Sequence, residues 1–380
     1  MNRPTYHFSA PGRTEIGGNH TDHQHGCVLA GAVNLETTAQ VRLNGTDLIR
    51  VASESYPAVE IALSDLAIHE DERNTTAALV RGVAAAFAAR GAKLTGFDAQ
   101  VQSTVLPGSG LSSSAAFEVL IGTICNELFL DADERLSPVE IARIGQWAEN
   151  QYFGKPCGLM DQTASAVGGM VFIDFADPAA PVVRRIDFDF AAAGHALCII
   201  DTGADHADLT DEYAAIPGEL KALCRLMGRE YLREIPEDAF YAALPRLRGQ
   251  VPDRAILRAI HFYQENARVM AQAEALEQND FPRFLELVSA SGRSSFMYLQ
   301  NITPAGAVAH QDVALTLALC DTLLGRRGAF RVHGGGFAGT VQAFVPMDLL
   351  DSFRDGIEAV LGQGACHVLS IRPEGGIRVK

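Results

Sequence analysis

The chain has 380 residues, 48% of them hydrophobic, so it can bury a sizeable core and is long enough for two ordinary domains with a cleft between them. A formal net charge of -15 and an isoelectric point near 5.2 argue against non-specific binding to nucleic acid or an anionic membrane. The sequence has no apolar run of about 18 residues to span a bilayer, no N-terminal signal region and no C-x-x-C among its scattered cysteines, so a cytoplasmic location without disulfides or structural zinc is expected.

Residues 9–26, S-A-P-G-R-T-E-I-G-G-N-H-T-D-H-Q-H-G, read as one polar loop that gathers Arg13, Asn19, His20, Asp22 and His23 between strand-like segments. Asp22 can accept from vicinal hydroxyls, Asn19 and His20 each offer donor and acceptor, and Arg13 offers a fixed cation, which together suit a polyhydroxylated ligand. The simpler alternative is a polar turn built on Pro11 and Gly12. His20, His23 and His25 lack the Cys or helical H-x-x-x-H partners of a zinc site and read as hydrogen-bonding groups.

Strands are predicted at 38–43 and 96–101, with a helix over 71–90 between them. The stretch P-G-S-G-L-S-S-S-A-A at 107–116 then reads as a phosphate cradle. Gly108 and Gly110 can take positive φ, while Ser112, Ser113 and Ser114 fall where the first amides of a helix lack intrahelical partners and favour an anion. Ser109, Leu111 and Ala115 complete it. The run 115–128 is apolar almost all round, so its helix is expected to be buried with its N-terminus aimed into a site. Unlike G-x-x-x-x-G-K-[ST], this loop has no lysine, so positive charge for a nucleotide must come from elsewhere.

A capping box at Ser137, Pro138 and Glu140 opens a helix to about residue 151, near whose end lies Glu149. The segment E-N-Q-Y-F-G-K-P-C-G-L-M-D at 149–161 carries a carboxylate at each end, and its Gly and Pro residues bend the chain so that both could reach one cleft. One carboxylate can hold Mg²⁺ with phosphate and water, and the other can face a sugar hydroxyl. A strand at 169–175 and a turn at 177–181 precede a domain boundary near 190, giving units of 1–190 and 191–380. The second half reads as strand 196–201, several helices to about 291, helix 305–324, strands 329–332 and 340–345, helix 349–361 and strand 366–371. That order suits a ferredoxin-like sandwich. Its middle strands are joined by G-G-G-F-A-G at 334–339, more glycine than a hairpin requires.

Taken together, A-P-G-R with G-N-H-T-D-H, then P-G-S-G-L-S-S-S-A-A, then H-G-G-G-F-A-G resemble, in order and spacing, the three signature motifs of the GHMP small-molecule kinases and of their galactokinase branch. The resemblance implies an α+β, two-domain fold, its N-terminal domain like ribosomal protein S5 domain 2 and its C-terminal domain ferredoxin-like. It implies ATP and Mg²⁺ as cofactors, and direct transfer of phosphate to the anomeric hydroxyl of galactose. Asp161 in C-G-L-M-D-Q matches the catalytic aspartate and Arg13 the cation beside it. Ser114 and Glu149 match Mg²⁺ ligands, while Asn19, His20, Asp22, Gly158 and Tyr213 match sugar-contacting positions. Partners are restricted to the small-molecule sugar and ATP, with no nucleic acid and no membrane, and a monomer or weak homodimer is expected.

Two departures qualify the match. Galactokinases generally carry Glu where Asn19 stands, facing the C6 hydroxyl. Such a Glu about 4 Å from a uronate would oppose it by about 4 kcal/mol, so Asn19 and the D-H-Q at 22–24 keep galacturonate or another C4-axial sugar as the alternative acceptor. Only eight residues precede S-A-P-G-R, a shorter lead than the family's. A non-catalytic galactose sensor and a mevalonate-type kinase are disfavoured, the first by the intact S-S-A-A run and the second by N-H-T-D-H and C-G-L-M-D-Q.

Overall fold

Strands β1 (Tyr6–Gly17) and β2 (Cys27–Leu43) pair antiparallel and form the spine of an eight-stranded sheet. Beside them lie β3 (Leu48–Ser53), β4 (Val59–Ala62) and, after helix α1 (Thr76–Ala89), β5 (Phe97–Ser103), in the order β1-β2-β5-β3-β4. The computed structural model describes residues 4–53, 57–106, 108, 110–204 and 209–379. Residues Cys27 to Val33 of β2 are buried on both faces, whereas Thr37, Ala39 and Val41 alternate with more exposed neighbours. One half of the strand is therefore sandwiched between layers and the other shows one face to solvent.

Helices α2 (Ser113–Phe129), α3 (Pro138–Ala148) and α4 (Met160–Val167) pack with α1 on this sheet, burying Phe8, Val41, Phe87, Leu120 and Ile124. Strands β6 (Met170–Asp174) and β7 (Val182–Ile186) branch from β2. Residue 190 lies between β7 and β8 (His195–Asp201), where the chain passes from the first sheet to the second.

A helical block of α5 (Thr210–Leu226), α6 (Glu237–Leu247), α7 (Asp253–Glu277), α8 (Phe281–Ser294) and α9 (Asp312–Leu324) separates β8 from the rest of the second sheet. With β9 (Ala329–His333), β10 (Thr340–Pro346), α10 (Leu350–Leu361) and β11 (Cys366–Leu369) this sheet has the order β11-β8-β10-β9, all neighbours antiparallel. This is the ferredoxin-like arrangement. A last strand, β12 (Ile377–Val379), returns to pair with β1, so the chain closes on its first sheet.

Several predicted boundaries move for identifiable reasons. The helix expected over 71–90 begins at Thr76, because Thr75 is its N-cap and accepts from the Ala78 amide, leaving a separate 3-10 turn at Glu70–Glu72. The helix expected from 305 begins at Asp312, with Pro304 and Gly306 (φ +76°) in the irregular stretch before it. The polar loop expected over 9–26 is mostly strand: Arg13 lies in β1, and only residues after Gly17 form a loop. Pro11 is tolerated there because the register shifts between Pro11 and Arg13, a bulge at which its missing N–H is not needed. Strands β3, β4, β7 and β12 were not foreseen.

Candidate active site

Arg13 is nine-tenths buried in β1 and points toward the N-terminus of α4. Its Nε donates to Asp161 Oδ1 at 2.7 Å and its Nη2 to Oδ2 at 2.5 Å, a bidentate pair that fixes both side chains. Its Nη1 donates to the Gly110 carbonyl and its backbone amide to the Leu111 carbonyl at 3.0 Å, so the strand grips the glycine-rich loop directly. A Cβ on Gly12 would stand 2.9 Å from the Leu111 oxygen, which is why glycine precedes Arg13. Burial alone would lift the Asp161 carboxyl, but the charge and hydrogen bonds of Arg13 and the hydroxyl of Ser112 outweigh it and hold the group below the usual carboxylate range.

In the glycine-rich loop the described backbone takes the conformation expected of its glycines. Gly108 and Gly110 take φ of +74° and +70°, and α2 starts at Ser113 with Ser112 as its N-cap. Ser109 lies outside the described residues. Ser114 sits half-buried in the first turn, Leu111 and Ala115 are buried, and Gly110 packs over His333, whose Nδ1 a Cβ would meet at 3.1 Å. Glu149 is buried where α3 passes into a π-turn (Glu149–Phe153), and burial raises its pKa despite Lys155 and Gln162 nearby.

Asp22 stands on a single 3-10 turn (Asp22–Gln24), and a Cβ on Gly158 would stand 2.3 Å from its Oδ2. Glycine at 158 is what admits that carboxylate beside the α4 N-terminus. The remaining sugar candidates meet on the third motif, where successive carbonyls each take one of them. Asn19 Nδ2 donates to Gly334 at 2.6 Å, His20 Nε2 lies 3.0 Å from the Gly335 oxygen, and the Tyr213 hydroxyl donates to Gly336 at 2.9 Å. A carbonyl only accepts, so His20 Nε2 carries the proton; burial pushes this imidazole down to about 3, and its buried Nδ1 has no hydrogen-bond partner among the described residues.

Asn19 is placed differently from expectation. Its amide is fully buried, with Nδ2 also donating to Glu15 Oε1 at 3.2 Å and Oδ1 accepting from Asn301 at 2.8 Å and Ser295 at 3.3 Å. Every hydrogen-bonding position of that amide is engaged within the protein, and it presents none to a ligand.

Sequence reasoning missed the groups behind this front. Glu118 is buried one helical turn after Ser114, and Gln162 Nε2 joins it to Glu149 with bonds of 3.0 and 2.9 Å. A lone carboxylate inside the apolar run A-A-F-E-V-L-I was the available signal, since such a group is costly unless paired. His333 accepts the Glu15 backbone N–H at 3.2 Å and lies 2.9 Å from Thr340 Oγ1, bracing β1 against β9 and β10 behind Arg13. Lys155 Nζ lies 3.9 Å from Glu149 Oε1, and its charge also acts on Asp161.

The donors suit a hard cation that shares its shell with phosphate. Ser114 and Glu149 offer oxygens, and among the described residues no cluster of three or more His, Cys, Asp or Glu could hold a metal alone. Among those residues, too, no helix is long and apolar enough to cross a membrane.

Comparison with known proteins identifies the family. Residues 78–169 match the GHMP kinases N terminal domain, and residues 1–43 match the galactokinase galactose-binding signature. A galactokinase of Streptomyces coelicolor is 34% identical over 98% of this chain and 93% of its own length. Among solved structures, the galactokinase of Lactococcus lactis complexed with galactose superposes with a TM-score of 0.83 at 24% identity, covering 99% of this chain and 95% of that one. A mevalonate kinase of Methanococcus jannaschii follows the same fold with a TM-score of 0.67 at 13% identity over 97% of this chain and 98% of its own. The chain belongs to the GHMP kinases and, within them, to the galactokinase family.

Proposed function

We propose that the protein transfers the γ-phosphoryl group of ATP directly to the anomeric hydroxyl of galactose. The observation that carries this reading is the bidentate Arg13–Asp161 pair, held between the glycine-rich loop at Gly110 and Ser112 and the Asp22–Gly158 contact. A bond forms between the sugar O1 and the γ-phosphorus as the bond from that phosphorus to the β,γ-bridging oxygen breaks. Asp161 stays ionised beside O1; its lowered basicity suits it to orienting and polarising the hydroxyl, whose proton is released to solvent water as the O–P bond forms. Arg13 offsets charge on the equatorial phosphoryl oxygens, and the open amides at the start of α2 receive the phosphates.

Ser114 and Glu149 would hold Mg²⁺, which supplies neutralisation of the phosphate charge. Asp22 and the neutral His20 would meet the sugar hydroxyls, with Tyr213 held on the third motif by its bond to Gly336. The enzyme acts as a cytoplasmic monomer or weak homodimer.

The test is galactose-dependent release of ADP with a product esterified at C1, run beside galacturonate, N-acetylgalactosamine, glucose and arabinose. A highest kcat/KM for galactose is expected. Sugar binding without ADP release would sink the catalytic reading, and a preference for galacturonate would move the substrate.

A further inference from the structure

Ser112 occupies the N-cap of α2 in the left-handed region, at φ +54° and ψ +67°, although it is not glycine. An N-cap serine ordinarily turns its hydroxyl onto an amide of the first helical turn; this one makes no such bond. Its Oγ donates to Asp161 Oδ2, the oxygen that also accepts Arg13 Nη2 at 2.5 Å. Two consequences follow from one rotamer. Among the described residues the Ser112 hydroxyl leaves the first amides of α2 uncapped, and Asp161 has three of its roughly four lone-pair sites taken, by Arg13 twice and by Ser112.

We propose that Ser112 is a positioning residue that couples the nucleotide to the sugar through Asp161. In the structure its hydroxyl satisfies Oδ2. Phosphate bound at the α2 amides offers that hydroxyl a charged acceptor at the same helix tip, and the hydroxyl turns to it. The site that Ser112 held on Oδ2 then opens to the O1 hydroxyl of the sugar while Arg13 Nη2 keeps the other, so nucleotide binding prepares the acceptor site. Arg13, which is held by both Asp161 oxygens and by Gly110, does not need to move.

This rests on the reading that Asp161 faces the anomeric hydroxyl. The experiment measures galactose affinity by calorimetry with and without a non-hydrolysable ATP analogue and Mg²⁺, in the wild type, Ser112→Gly and Ser112→Ala. Nucleotide is expected to tighten galactose by about fivefold or more in the wild type, within the ordinary range of coupling between sites. Both variants should bind galactose alone about as tightly as the wild type does with nucleotide, and their coupling should fall below about twofold. Glycine adopts positive φ freely and alanine does not, so equal loss in both assigns the effect to the hydroxyl. Loss in alanine only would assign it to the backbone and overturn the proposal, as would coupling retained in both variants or absent from the wild type. A wild type that forms no sugar phosphate would instead remove the kinase reading itself.

Discussion

Two arginine–carboxylate pairs are anchored two residues apart on β1, and they behave oppositely. Arg13 meets Asp161, whose side chain is 31% exposed, while Arg331 meets Glu15, whose side chain is 5% exposed. In the first pair the charge and hydrogen bonds of the arginine overcome burial and keep the carboxyl readily ionised; in the second, burial prevails over Arg331 and pushes Glu15 up. The difference lies in what surrounds each pair. Asp161 is approached by Ser112 and opens toward the cradle, whereas Glu15 is enclosed with Asn19 and Arg331 between the two sheets. The open pair is placed to meet ligand; the closed one holds the strand that carries it.

The sharpest way to break this contrast is to alter each pair separately. Asp161→Asn keeps the shape but removes the charge, and turnover is expected to fall by on the order of 10² to 10⁴ while circular dichroism stays unchanged. Turnover within tenfold of the wild type would remove Asp161 from the chemistry. Arg331→Met leaves the Glu15 carboxylate buried without its cation, and a stability loss of about 3–5 kcal/mol in urea is expected, because an uncompensated buried charge is what remains. A loss under about 1 kcal/mol would mean that Glu15 folds neutral and that the pair is not ionic.

Asn19→Asp sharpens the same contrast at smaller amplitude. It replaces a donor toward Glu15 and the Gly334 carbonyl with an acceptor, and about 1–3 kcal/mol of stability should be lost. A change confined to sugar KM, with stability untouched, would return Asn19 to the ligand face. Residue 19 shows where the sequence ran out. A polar residue beside His20 and Asp22 reads as ligand-facing, but Ser295 and Asn301, which close the amide off, lie almost 300 residues away. The cradle was legible because glycine at positive φ, hydroxyls and a helix start are adjacent in the chain. The joining of Arg13 to Asp161 was legible only through the resemblance, since nothing local to either residue encodes 148 positions of separation. The dual duty of Ser112 was hidden for a further reason: the same serine in the same loop would cap its helix had its backbone stayed extended.

The subtlest expected effect distinguishes the pairs by the sign of their pH dependence. Asp161 has a folded pKa below its ordinary value of about 3.9, so its stabilisation is complete above that pH and is lost as pH falls through the folded value. Glu15 has a folded pKa above its ordinary value of about 4.3, so the native state binds more proton than the unfolded chain between those two values, and stability falls as pH rises across that window. Urea denaturation from pH 3 to 7 of the wild type, Asp161→Asn and Glu15→Gln isolates each contribution as a difference curve. The wild type should gain on Asp161→Asn as pH rises from the acid end and should lose on Glu15→Gln as pH rises above about 4.3. Slopes of the same sign would show that Arg331 compensates Glu15 as fully as Arg13 compensates Asp161, and enclosure would then no longer separate the site from its support.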